Sequence, residues 1–158
     1  MILLMYIVIN VVAIIFFTKT KNNLHILEII VYWLIGSYLF QNYSALCYMN
    51  FKTLIIPDKL TYELTHFINR IVLYPLIMVS FLRLNQFMNT TYKKILSIIS
   101  CTLILTGLEW IEDFLGVLVH VHWQIWWSFS FWLTTLCVLL GCMKLFRKSL
   151  YKKWRAYS

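Results

Sequence analysis

Five apolar stretches dominate the chain: Ile2–Phe17, Leu24–Tyr48, Tyr62–Leu82, Ile95–Val119 and Trp123–Phe146. A helix needs about 20 apolar residues to cross the hydrocarbon of a bilayer, and these segments meet or approach that length. Only 13% of the residues are charged, against 61% apolar. An ordinary soluble domain carries about a quarter charged residues. The pattern therefore predicts an integral membrane protein, all-α, built as a polytopic bundle of five transmembrane helices. Disordered, collagen-like and disulfide-stapled chains are excluded, since each needs a composition this one lacks. Cys47, Cys101, Cys137 and Cys142 form no CxxC pair and lie within or at the end of apolar runs. Free, buried thiols are expected there.

Charge between the stretches sets the expected orientation. With the N-terminus outside, the inner segments hold Lys19, Lys21, Arg83, Lys93, Lys94, Lys144, Arg147, Lys148, Lys152, Lys153 and Arg155. Lys52, Lys59 and Arg70 remain on the outer half. The positive-inside rule favours this arrangement, N-terminus outside and C-terminus cytoplasmic. Lys19 and Lys21 follow the first apolar run instead of preceding it, the reverse of a signal peptide. The first run is thus expected to be a permanent span.

Residues 1–147 read as one five-helix transmembrane domain and 148–158 as a basic, aromatic cytoplasmic tail. In that tail Lys148, Lys152, Lys153 and Arg155 alternate with Leu150, Tyr151, Trp154 and Tyr157. Such a pattern predicts contact with the lipid bilayer surface, anionic lipids in particular. The formal charge of +8 does not predict nucleic-acid binding, because the basic residues sit between apolar runs and form no folded basic face.

Ionisable groups inside a span are costly unless partnered or hydrated, so they are the informative ones. Glu63, His66 and Arg70 recur at helical spacing at the start of the third span, just ahead of Pro75. The missing N–H of Pro75 strands the Ile71 carbonyl and predicts a local kink. Glu109, Glu112 and Asp113 close the fourth span. At about 1.5 Å per residue, Arg70 and Glu109 lie at similar depth, roughly 12 and 14–15 Å below the outer ends of their spans. These six residues are the expected intramembrane polar cluster, with Arg70 paired to one of the acids. Such a pair can lock helix packing or line a functional cavity. Ser37, Gln41 and Ser44 share a face of the second span and could line the same cavity or bond neighbouring helices. Glu28 and His25, near the inner end of that span, need no special role.

No metal site is expected: His120 and His122 are an HxH in a short loop, without convergent ligands at zinc spacing. No cofactor is expected either. Neither GxSxG nor a Gly-rich phosphate loop occurs, and Ser128 and Ser130 have no base placed by spacing.

Four segments carry a resemblance. They are Phe51-Lys52-Thr53-Leu54-Ile55-Ile56-Pro57, Tyr74-Pro75, Glu109-Trp110 and Trp123-Gln124-Ile125-Trp126-Trp127. Over about residues 50–146 the chain resembles a family of small uncharacterised multi-pass membrane proteins of endospore-forming bacteria. The resemblance implies a membrane bundle and its location, and no chemistry. The leading expectation is an accessory or structural membrane component acting through other membrane proteins or lipids. The alternative is a transporter or channel component using the Arg70 and Glu109 region. An integral-membrane enzyme is the third.

Overall fold

The computed structural model describes residues 1–20 and 24–155, with 149–155 described by backbone alone. Lys21 and the side chains of Lys152, Lys153 and Arg155 lie outside the described residues. The helices are α1 (Ile2–Lys19), α2 (Ile26–Ala45), α3 (Leu60–Ile68), α4 (Tyr74–Phe87), α5 (Thr91–Phe114) and α6 (Ile125–Arg155). A π-helical turn, Asn69–Leu73, joins α3 to α4 in one pass, and a second, Leu46–Asn50, extends α2. The chain is thus all-α in its mass and makes five helical passes.

Four passes are long and apolar enough to cross a membrane: Ile2–Lys19, Leu60–Phe87, Thr91–Phe114 and Ile125–Lys148. The remaining pass, α2, has 20 residues but is diluted by Glu28, Ser37, Gln41, Asn42 and Ser44. Its buried face is Glu28, Tyr32, Gly36, Phe40 and Ser44, one residue every four. That i±4 ridge packs into α4 and α6. Gly36 permits the approach: a Cβ there would stand 3.0 Å from Met78 Sδ.

Contacts sort the connections to two ends. At one end, β1 (Leu54–Ile55) pairs antiparallel with β2 (Val119–His120), Leu54 opposite His120. This strand end joins the α2–α3 connection to the α5–α6 connection. At the other end, Arg83 donates from Nη1 to the Phe17 carbonyl at 2.8 Å and lies over the Phe17 ring at 3.5 Å. A cation on the carbonyls closing α1 suits the negative pole of that helix. Glu28 and Arg147 meet at the same end, which also carries Lys19, Lys94, Lys144 and Lys148.

Glu28 is a correction to the sequence reading. It is 1% exposed and accepts from Arg147 twice, from Nε at 2.6 Å and Nη2 at 3.1 Å. It also accepts from the His25 backbone N–H, closing a capping box with the His25 side chain. A capping glutamate at this helix start is drawn inward because α6 supplies a bidentate partner.

The core between the passes is aromatic. Phe40, Tyr74 and Trp132, from α2, α4 and α6, lie with ring centroids 4.7–5.1 Å apart. Tyr43 stacks on Phe131 at 3.6 Å. Tyr and Trp bury large apolar surface while keeping one donor each. The direction of those donors defines the site.

Candidate functional site

The π-helical turn decides which side chain of the third pass faces α5. Tyr74 donates its backbone N–H to the Asn69 carbonyl, five residues back. In a regular α-helix Arg70, at i−4, would share the face of Tyr74. The inserted residue puts Asn69 there instead and turns Arg70 aside. The turn directly precedes Pro75, whose missing N–H frees the helix from its regular pattern.

Glu112 is therefore met by Asn69 and not by Arg70. It is 1% exposed and accepts from Asn69 Nδ2 at 2.8 Å and Tyr74 Oη at 3.0 Å. His66 Nδ1 lies 3.3 Å from its other oxygen. Asn10 extends the network into α1, donating to Asn69 Oδ1 at 2.9 Å. Tyr6 Oη, Asn10 Oδ1 and His66 Nε2 are buried around it without a hydrogen-bond partner among the described residues.

Glu109 stands nearly one turn earlier and faces α6. It is 2% exposed and accepts from Trp132 Nε1 at 2.7 Å and Ser128 Oγ at 3.1 Å. Ser128 in turn accepts from Trp123 Nε1 at 2.9 Å. That hydroxyl is both donor and acceptor within the network, a bridge and not a free nucleophile. Tyr74 and Trp132 stack at 5.1 Å, yet each sends its donor to a different carboxylate.

The loop after α5 supplies the remaining partner. Gly116, at φ +67°, ends the helix where the sequence reading carried it on to Val119. Its N–H bonds the Asp113 carbonyl and that of Val117 bonds Glu112, at 3.0 and 2.9 Å, a Schellman closure that needs the left-handed glycine. The chain folds back and Asp113 Oδ1 accepts the His120 backbone N–H at 2.9 Å. The imidazole is then held between two carboxylates, Nε2 3.2 Å from Glu109 and Nδ1 3.4 Å from Asp113. Both nitrogens facing acceptors suits the doubly protonated ring. Burial alone would lower the pKa of His120, but the hydrogen bonds and charges of Glu109 and Asp113 outweigh it and raise it above the usual value.

A cavity of about 150 Å³ opens against this arrangement, lined by Glu109, Asp113, His120, Trp110, Trp123 and Thr106 among others. The Thr106 hydroxyl, on a residue 6% exposed, has no hydrogen-bond partner among the described residues.

Of the expected cluster, the structure brings His66 to Glu112, and Glu109 and Asp113 to His120. Glu63 does not join: it is exposed in the first turn of α3. Arg70 does not join either. Among the described residues no carboxylate lies within ion-pair distance of it. Its guanidinium sits 6.0 Å from the Phe67 ring centroid, with Nε buried and without a hydrogen-bond partner among the described residues. Ser37, Gln41 and Ser44 do not act together. Gln41 is exposed and Ser44 buried, because the face α2 turns inward is that of Gly36 and Phe40. None of the three lines the Glu109 cavity. Comparisons with protein-family models, with curated proteins and with solved structures find no match to this chain.

Proposed function

We propose that the chain is a five-crossing plasma-membrane protein, N-terminus outside and C-terminus in the cytoplasm, that binds a small polar cation at its outer end. In this reading the strand end faces outward and the basic end faces the cytoplasm, as the positive-inside rule prefers. α2 is the fifth crossing, with one face packed on α4 and α6 and the other, which carries Ile30, Leu34 and Tyr38, open to lipid. The class is a transport or receptor component, with the Glu109 centre in the part expected of Arg70 and Glu109 together. An accessory role with membrane partners stays compatible with it.

The observation that carries the reading is the cavity where Glu109, Asp113 and His120 converge. Two converging carboxylates suit a cation, and Trp110 and Trp123 line the same cavity. Its volume, about five water volumes, limits the ligand to a few heavy atoms. Two of the four segments of the resemblance line this cavity, and the other two make the neighbouring contacts. Leu54 pairs with His120, Tyr74 bonds Glu112, Glu109 is the hub and Trp123 bonds Ser128.

Methylammonium chloride is a suitable probe, read by tryptophan fluorescence of the purified protein in detergent. A saturable change is expected in the wild type and none in Glu109→Gln. A change that does not saturate, or that persists in Glu109→Gln, overturns the reading. Reporter fusions at Asp58 and Val121 should read as outside and at Ser158 as inside. An inside signal at Asp58 overturns the orientation.

A further inference from the structure

A second cavity lies at the opposite end of the bundle, about 22 Å along α5 from Glu109 at ~1.5 Å per residue. It holds about 460 Å³ and is bounded by the end of α4, the first turns of α5 and the later part of α6. That size falls in the range of small-ligand pockets, roughly 300–1,000 Å³.

Its polar lining is the cations Lys94, Lys144 and Arg147 and the amides Asn85 and Gln86. Lys94 and Lys144 are exposed on opposite helices at its rim, and Gln86 lies on α4 between them. Asn85 is 6% exposed, and its Nδ2 is buried with no hydrogen-bond partner among the described residues. That nitrogen is closed to the cavity, so the cations at the rim set the charge a ligand must carry. Among the described residues no carboxylate lines the cavity. The nearest, Glu28, is engaged by Arg147. The remaining wall is apolar, from Ile98, Leu140 and Met143.

We propose that this cavity binds the phosphate-bearing headgroup of an anionic phospholipid, with Lys94 and Lys144 on the phosphate and the first carbons of the acyl chains against Ile98 and Leu140. A free phosphate would satisfy the donors, but it would leave the apolar wall unused. Lipid is the occupant that uses both. The site lies at the end that carries the chain's basic residues, where an anionic leaflet would meet it. It does not depend on the Glu109 centre, nor on the tail residues Lys152, Lys153 and Arg155.

Native mass spectrometry of the full chain in detergent, titrated with phosphatidylglycerol and with phosphatidylcholine, tests this. One saturable phosphatidylglycerol site is expected, weakened about tenfold or more in Lys94→Gln/Lys144→Gln. Both lysines are exposed, so this variant should fold. Lys148→Gln, an exposed charge outside the cavity, should bind as the wild type does. Equal affinity for the two lipids overturns the proposal, as does equal weakening by Lys148→Gln. Displacement of phosphatidylglycerol by an equal concentration of inorganic phosphate overturns the lipid as occupant.

Discussion

Glu109 and Glu112 sit three residues apart on one helix, and the molecule treats them differently. Glu112 is enclosed by α1, by the third pass and by the aromatic core, and its partners are Asn69, Tyr74 and His66. Glu109 shares the same stacked aromatic floor, but one side of it is a loop and a cavity. A three-residue step turns the side chain by about 60° around the helix axis, since each residue advances about 100°. That turn separates a carboxylate built into the packing from one that can meet a ligand. Burial alone does not distinguish them. What lies beyond the donors does.

The comparison breaks most readily at Glu112. Glu112→Ala strands three donors, and at about 0.6–1.7 kcal/mol for each hydrogen bond between membrane helices the loss is about 2–5 kcal/mol. Thermal melting in detergent measures it, and a change below 1 kcal/mol would show that the network is not a lock. Glu109→Ala should cost less, about 1–2 kcal/mol, because water in the cavity can reach some of the freed donors. If Glu109→Ala proved the more damaging of the two, the division of roles would be reversed. Asn10→Leu removes one bond at the edge of the Glu112 network and should cost about 1 kcal/mol, with methylammonium binding unaffected.

The sequence made several of these elements readable. The apolar runs match the helical passes, with α2 the least apolar of them, and Pro75 marks a helix irregularity where the structure has its π-helical turn. Helical spacing brought His66, Glu109, Glu112 and Asp113 into view. It failed at Arg70 because it assumed 3.6 residues per turn through Asn69–Leu73, where the helix takes a longer step. Asn69 stood in the same window but looked less informative than the charge beside it. Asn10 gave a weak signal, a single amide in the otherwise apolar run Ile2–Phe17. Ser128 and Trp132 gave none that spacing could use. His120 stands near Glu109, Glu112 and Asp113 in sequence, but an HxH in a loop has no fixed face, and its contacts depend on how the chain turns back at Gly116. Glu28 did leave a signal in the His25-x-x-Glu28 capping pattern, but depth alone argued for water around it, and the distant Arg147 decided otherwise.

The smallest effect expected is also the one that separates the two carboxylates by their chemistry. His120 lies between Glu109 and Asp113, and its pKa in the folded protein is raised above the ordinary 6.5. A group whose pKa rises on folding stabilises the fold fully below its unfolded value and loses that contribution as pH climbs through the folded one. The wild type should therefore lose melting temperature as pH rises above about 6.5, relative to His120→Gln. Parallel melting curves for the two proteins between pH 5.5 and 9 would show that the imidazole carries no charge between its carboxylates. The same proton opposes a cation in the cavity. Its loss leaves Glu109 and Asp113 uncompensated, so methylammonium should bind more tightly as pH rises across this window. In His120→Gln that dependence should be flat. A flat response in the wild type, with binding otherwise intact, would place the cation away from His120 and leave the imidazole to hold the loop alone.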